Sequence, residues 1–246
     1  DLAAFEDVSV IIHLAGASVS KKWSKAYKNE IIQSRVQTAN LLFKTLQSHP
    51  NKVKQFVAAS AVGIYPNDLT AIYNEDDSKI DDSFLGEVTQ LWEESTNLFK
   101  SLPLLVTTIR IGVVLAKESG ALVEMTKPIK YGFGAALASG KQYVSWIHID
   151  DLVAIFKYVI DNNLEGIYNA VSPYPTTNEE LTKAIAKTIH KPLFLPNVPK
   201  FMLRLLLGEM HQIVTSSQHV SSRKILDSGF QFQYASLSKS LQNLLK

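Results

Sequence analysis

Val8-Ser9-Val10-Ile11-Ile12-His13-Leu14-Ala15-Gly16-Ala17 decides how this chain is read. A continuously apolar run of this length suits a strand in the buried middle of a parallel sheet. The small residues that close it lie at the carboxyl edge, where doubly wound folds bind ligands because a side-chain-poor turn lets a flat molecule approach the backbone. A tight strand-to-helix turn would call for the same small residues. Working outward, Ser24 is placed to cap a helix whose apolar residues Ile31, Ile32, Val36, Ala39, Leu42, Phe43 and Leu46 recur at helical spacing. His49-Pro50-Asn51 stops it. Phe56 to Ser60 is the second strand, and Phe84, Val88, Leu91, Trp92 and Leu98 mark the next helix. Leu104 to Leu115 is expected as a third buried strand, Asp150 to Ile160 as a helix capped by Asp150 or Asp151, and Gly166 to Val171 as a further strand. Strand and helix alternating at these spacings predict an α/β fold with a parallel sheet and right-handed crossovers.

From Ser172 the pattern changes. Pro173 and Pro175 open a loop, and Thr177-Asn178-Glu179-Glu180 has the form of a capping box starting a helix to about Ile189. Pro192, Pro196 and Pro199 punctuate a linker, after which short helices are expected at 202–207, 213–217, 224–228 and 237–245. The expected division is therefore a Rossmann-like domain over 1–172 and a smaller, mostly helical domain over 173–246. Residues 116–144, with Gly132, Gly134 and Gly140, read as an insertion on the cleft side of the first. The acidic stretch from Asn67 to Asp82 reads as a solvated loop.

Composition excludes several classes. The 246 residues include 25 Lys and Arg against 23 Asp and Glu, a formal charge of +2 that gives no general field for nucleic acid. With 46% apolar and 20% charged residues the chain can build a core rather than stay disordered. Zero cysteines exclude disulfides, thiolate metal sites and a cysteine nucleophile. His148 has no carboxylate or histidine at metal-ligand spacing, so it reads as structural and no metal site is expected. No apolar run reaches the roughly 18 residues of a membrane span. A soluble, cytoplasmic protein without membrane or nucleic-acid contacts is the expectation; the sequence leaves oligomeric state open.

Ser60-Ala61-Val62-Gly63-Ile64-Tyr65 repeats the logic of the first turn and adds a hydroxyl and a phenol, which could orient a substrate or serve the turn itself.

Together these segments resemble the extended short-chain dehydrogenase/reductase superfamily, and within it the NADP-dependent sugar-nucleotide epimerase-like subfamily with its own C-terminal domain. The carriers are His13-Leu14-Ala15-Gly16-Ala17, Ser34-Arg35-Val36, Ser60-Ala61-Val62-Gly63, Trp92-Glu93, Arg110-Ile111-Gly112-Val113-Val114-Leu115, Ser145 to Leu152, Asn169-Ala170 and the tail from Leu203 to Met210. The resemblance implies a Rossmann fold, NADP as cofactor and a small-molecule substrate such as a nucleotide sugar. It places Leu14 and Ala15 along the nucleotide and assigns Glu30, Arg35 and Val114 to the rest of the cofactor wall. Arg35 would meet a phosphate and Glu30 would accept a hydrogen bond, although the two residues could equally form a surface ion pair. Ser60 and Tyr65 remain as catalytic candidates, Ser60 orienting substrate with its hydroxyl facing the cleft.

The chain departs from the pattern twice. It starts with Asp1 and has no glycine before Gly16, so the glycine-rich strand–turn–helix of the family is expected to be missing and the sheet truncated at its N-terminal side. No Tyr is followed four residues later by Lys, so tyrosine-based proton transfer at neutral pH lacks its usual partner. That leaves an epimerase or oxidoreductase, with a non-catalytic NADP-binding or sensor protein as the rival.

Overall fold

The computed structural model describes residues 2–246. In chain order its strands and α-helices are β1 (Val10–His13), α1 (Lys25–Ser48), β2 (Gln55–Ala61), β3 (Ile72–Tyr73), α2 (Phe84–Asn97), β4 (Leu105–Ile111), β5 (Val113–Leu115), α3 (Ala121–Lys130), β6 (Tyr143–Val144), β7 (Trp146–His148), α4 (Ile149–Asp161), β8 (Gly166–Ala170), β9 (Thr176–Thr177), α5 (Asn178–Thr188), α6 (Lys200–Leu207), α7 (Gln212–Thr215), β10 (His219–Val220), α8 (Arg223–Asp227) and α9 (Leu237–Leu245). The expected α/β class holds, with a parallel sheet, flanking helices and a helical C-terminal region. The chain forms two compact units: Asp1–Pro66, Ser78–Arg110 and Ile155–Tyr168 in one, Asn67–Asp77, Ile111–Ala154 and Asn169–Lys246 in the other.

The first unit holds a sheet of order β1-β2-β4-β8. β1 and β2 pair parallel with Ile12 opposite Val57 and His13 opposite Ala58, so β2 continues to Ala61 beyond the carboxyl end of β1. Strand β2 is buried from Gln55 through Ser60, as a central strand covered on both faces must be. Gln55 is tolerated there because its Nε2 donates to Val159 O at 3.1 Å. α1 starts where Ser24 accepts a bond from Tyr27 N, and it packs Ala39 and Leu46 onto Phe56, Phe99 and Val106. Phe56 and Phe99 stack with centroids 3.7 Å apart. Among the described residues β1 pairs only with β2, so it ends the strand order, and Ile12 and Leu14 are exposed; the burial suggested by the apolar run is not met on this strand.

In the second unit β5 pairs with β7, β3 with β10 and β6 with β9, around a core of Leu115, Leu122, Trp146, Ile185 and Leu241. The capping box forms as read: Thr177 accepts from Glu180 N, and Glu180 accepts from Thr177 N. The strand expected over 104–115 is instead two, β4 and β5, divided at Gly112. There the backbone runs so close to its neighbour that a Cβ would stand 2.3 Å from Ser145 O. The expected loop at 67–82 contains β3, and Glu75 accepts the backbone N–H of Asn169 at 2.8 Å, so this acidic residue is structural and not merely solvated. Asp150 and Asp151 lie inside α4 and do not cap it. Asp151 accepts from Gln233 N and Tyr234 N, while His148 Nδ1 accepts from Asp150 N at 3.1 Å. That bond leaves His148 Nε2–H to donate to Asn243 Oδ1, and the ring stacks on Tyr234 at 3.9 Å. His148 is a structural residue.

Candidate functional site

The carboxyl end of β1 is open. Leu14 is 62% exposed, Ala15 and Gly16 are exposed beside it, and the turn is fastened by Ala17 N donating to Ser34 Oγ at 2.8 Å. Beneath it lies Arg35 of α1, buried to 9% exposure. Its guanidinium is close enough that a Cβ on Gly16 would stand 2.9 Å from Cζ, so only glycine allows the turn to rest there without displacing it. Nη1 donates to Ala17 O at 3.1 Å and Ile31 O at 2.8 Å, and the group stacks over Trp92 with Cζ 4.8 Å from the ring centre. Among the described residues no hydrogen bond leaves the opposite edge, and Nε is buried without a partner. A guanidinium held by two carbonyls and an aromatic face, with its Nε–Nη2 edge unengaged among the described residues, has donors left for an anion such as a phosphate where the Gly16 turn that covers them gives way. Burial lowers the Arg35 pKa from its ordinary value, a cost that an anion at the fork would offset.

His13 closes the floor of this end. It is 3% exposed, and burial first, then the charge of Arg35, hold its pKa below 6.5. The Thr38 hydroxyl has its proton directed to the carbonyls of Ser34 and Arg35, so its oxygen accepts from His13 Nε2–H at 3.0 Å and Nδ1 remains an acceptor with no partner among the described residues. Glu30 is exposed on α1 and makes no ion pair with Arg35 among the described residues. Val114 is in the second unit, half-buried on β5 opposite Ile147.

The carboxyl end of β2 is closed. Ser60 is 2% exposed and Tyr65 0%. Glu93 of α2 and Arg110 of β4 form a bidentate ion pair, Nε to Oε1 at 2.8 Å and Nη2 to Oε2 at 2.9 Å. Ser60 Oγ donates to Glu93 Oε1 at 2.6 Å, and Tyr65 Oη accepts from Arg110 Nη1 at 2.8 Å. Burial pulls the Arg110 pKa down, but the hydrogen bond and charge of Glu93, then those of Tyr65, outweigh it and raise the pKa overall. The structure thus corrects the geometry expected of the two catalytic candidates. Neither the Ser60 hydroxyl nor the Tyr65 phenol faces a cleft, because a buried ion pair draws in every polar neighbour it can to satisfy its remaining sites.

Sequence reasoning missed the Glu93–Arg110 pair. Its signal was present: one cation inside an apolar strand and one carboxylate beside Trp92 on an apolar helix face, two charges that burial obliges to meet. Among the described residues no cluster of metal-ligating side chains occurs, and no helix is long and apolar enough to cross a membrane.

Known proteins resemble this chain along most of its length. The NAD dependent epimerase/dehydratase family matches residues 1–84, and a domain of unknown function, DUF1731, matches residues 198–244. An epimerase family protein of Staphylococcus aureus is 36% identical over 242 residues, covering 98% of this chain and 80% of the relative. A human epimerase family protein solved with NADPH superimposes with a TM-score of 0.91 at 28% identity, over 97% of this chain and 82% of that one. The nucleoside-diphosphate sugar epimerase of Corynebacterium glutamicum gives 0.78 at 25% identity, over 99% and 48%.

Proposed function

The chain belongs to the epimerase family of NAD(P)-binding, extended short-chain dehydrogenase/reductase proteins, and from that membership we propose that it binds NADP(H) at the carboxyl end of β1. The observation that carries the reading is the open Leu14-Ala15-Gly16 turn lying on an Arg35 guanidinium whose Nε–Nη2 edge has no partner among the described residues. Leu14 and Ala15 offer an apolar wall for the flat part of the nucleotide, Arg35 the cation for a phosphate, and Glu30 an exposed acceptor within about 1.4 helical turns of Arg35. Val114 joins the set on the family resemblance alone. The bound dinucleotide would supply hydride chemistry; the residues of this chain hold and orient it.

Family membership favours redox or epimerising chemistry on a nucleotide sugar or a similar carbonyl compound. The closed end of β2 favours the second reading, an NADP-binding or sensor protein without tyrosine chemistry. There the phenol of Tyr65 is fully buried against a guanidinium, and no Lys follows any Tyr at the distance that would lower its pKa. In both readings Ser60 and Tyr65 are framework.

Calorimetric titration tests the shared part. Arg35→Lys retains the charge but loses the planar fork, so NADPH affinity is expected to fall about tenfold while NADH affinity stays within about twofold. Equal affinities for NADPH in the two proteins would overturn the assignment. Turnover of NADPH against a panel of carbonyl compounds and nucleotide sugars then separates enzyme from sensor.

A further inference from the structure

The second unit carries an apolar surface that neither its core nor the proposed nucleotide site uses. α6 buries only Leu203, and Phe201, Leu205 and Leu206 stand 70%, 83% and 74% exposed. Leu205 follows the buried Leu203 by two residues, about 200° around the helix, so the outward face of α6 is its most apolar one. Two loops extend the surface. Tyr131 and Phe133 follow α3, Phe194 precedes α6, and all three are more than two-thirds exposed. The loops are tied together where Val198 N donates to Ala136 O and Ala138 N donates to Val198 O, immediately before Pro199 opens α6.

Charge follows the same surface. Residues 121–141 and 187–211 hold seven Lys and Arg against two Glu, whereas the rest of the chain holds 18 against 21 acids. Lys130, Lys191, Lys200 and Arg204 are exposed, and none has an acidic partner among the described residues. On α6, Lys200 and Arg204 lie one turn apart, flanking the apolar stripe. The surface is thus apolar outward and cationic at its margin.

We propose that the second unit docks on an anionic phospholipid surface through α6 and the loops at 131–133 and 194–195. Side chains this exposed project singly, with no walls around them to form the pockets that protein hot spots fill. Projecting aromatic and leucine side chains with Lys and Arg beside them suit the headgroup–acyl boundary, the apolar parts entering and the cations meeting phosphates. A second copy fits less well: a two-fold axis through the middle of α6 would bring Arg204 and Lys200 of both copies together with no acid between them. Lying on a bilayer is distinct from crossing it, so the lack of a spanning helix among the described residues is consistent with this.

Flotation with phosphatidylcholine vesicles, with and without phosphatidylglycerol, tests the proposal on the whole chain. Binding is expected only with phosphatidylglycerol, weakening as salt is raised. Leu205→Glu with Leu206→Glu is expected to lower partitioning more than tenfold, and Lys200→Gln or Arg204→Gln about fivefold each. Because these residues are exposed, melting temperatures should hold. If the double variant does not fold, Phe201→Trp gives a second reading, its emission shifting to the blue on phosphatidylglycerol vesicles alone. Equal flotation with and without phosphatidylglycerol, unchanged flotation of the folded double variant, or an unshifted Phe201→Trp emission would each overturn the proposal. So would dimerisation in sedimentation velocity that the double variant abolishes while vesicles bind neither protein; that outcome assigns the surface to a second copy.

Discussion

The ends of β1 and β2 begin from the same grammar, an apolar strand followed by small residues and a glycine, and end in opposite states. At β1 the turn is exposed and half of the Arg35 guanidinium is without a partner; at β2 every polar group that the sequence offered as reactive is tied into Glu93 and Arg110. The difference lies in what stands behind each turn. Behind β1 is a lone cation stacked on Trp92, which two carbonyls can hold but not neutralise. Behind β2 is a cation with its carboxylate already in place. On the proposed reading, the turn over a buried charge that lacks a counter-charge binds the ligand, and the turn over a paired charge is framework.

The largest effect is expected from breaking the closed end. Glu93→Ala leaves the Arg110 guanidinium buried with Tyr65 as its remaining side-chain partner and removes the acceptor of Ser60. Loss of one member of a buried pair costs about 3–5 kcal/mol, so the urea midpoint should drop sharply. A loss below about 1 kcal/mol would mean that water reaches the pair and that the β2 end is not closed.

Tyr65→Phe is the next step down. It removes one charge-assisted bond to Arg110 and should lower stability by about 1.5–3 kcal/mol, read from the same urea curves. NADPH affinity, and any NADPH turnover, should survive in the folded fraction. A variant of unaltered stability that had lost turnover would return Tyr65 to the chemistry and remove the distinction drawn between the two ends.

The two glycines allow a finer comparison. A Cβ on Gly63 would meet Thr89 Oγ1 at 3.7 Å and Leu85 Cβ at 3.8 Å, ordinary contacts, whereas one on Gly16 would displace the Arg35 guanidinium. Gly63→Ala should therefore leave cofactor affinity unchanged. Gly16→Ala should weaken NADPH about fivefold with little loss of stability, because what moves is the free end of a side chain. Identical titrations for both variants would show that the turn does not bear on Arg35.

Much of this architecture is legible in residue order, and its failures share a cause. Ser24, the helical run behind it and the Thr177–Glu180 box declare their elements because a cap and a periodicity are local. The division at Gly112 is not local: glycine in an apolar strand reads as strand until the backbone of Ser145, some thirty residues on, is known to lie against it. Asp150 and Asp151 look like caps for the same reason, since nothing nearby announces that Gln233 and Tyr234 need the carboxylate of Asp151. At the proposed site, Leu14, Ala15 and Arg35 are legible as a strand end and the helix behind it, and the role proposed for them comes from the resemblance. The burial of Ser60 was hidden in a pairing between Glu93 and Arg110, seventeen residues apart and on different elements.

The smallest expected effect concerns the floor of the open end. Burial, and then the charge of Arg35, keep His13 neutral in the fold, with a pKa below the ordinary 6.5. Above that value folded and unfolded chains both carry a neutral His13, and it adds no pH dependence. As the pH falls through 6.5 the unfolded chain takes up a proton that the folded chain refuses, so stability falls with decreasing pH until the folded pKa is passed. The slope from one such group cannot exceed about 1.4 kcal/mol per pH unit. His219, in the second unit, is also lowered by burial and contributes in the same direction. His13→Gln, which retains a side-chain donor for Thr38, should therefore reduce the fall in urea midpoint between pH 7.5 and 5.5 without abolishing it, and His219→Gln should reduce it further. An undiminished slope in His13→Gln would mean that the imidazole takes up its proton as readily in the folded chain as in the unfolded one, which beside Arg35 would require a counter-charge at the β1 end and make that end as closed as its neighbour.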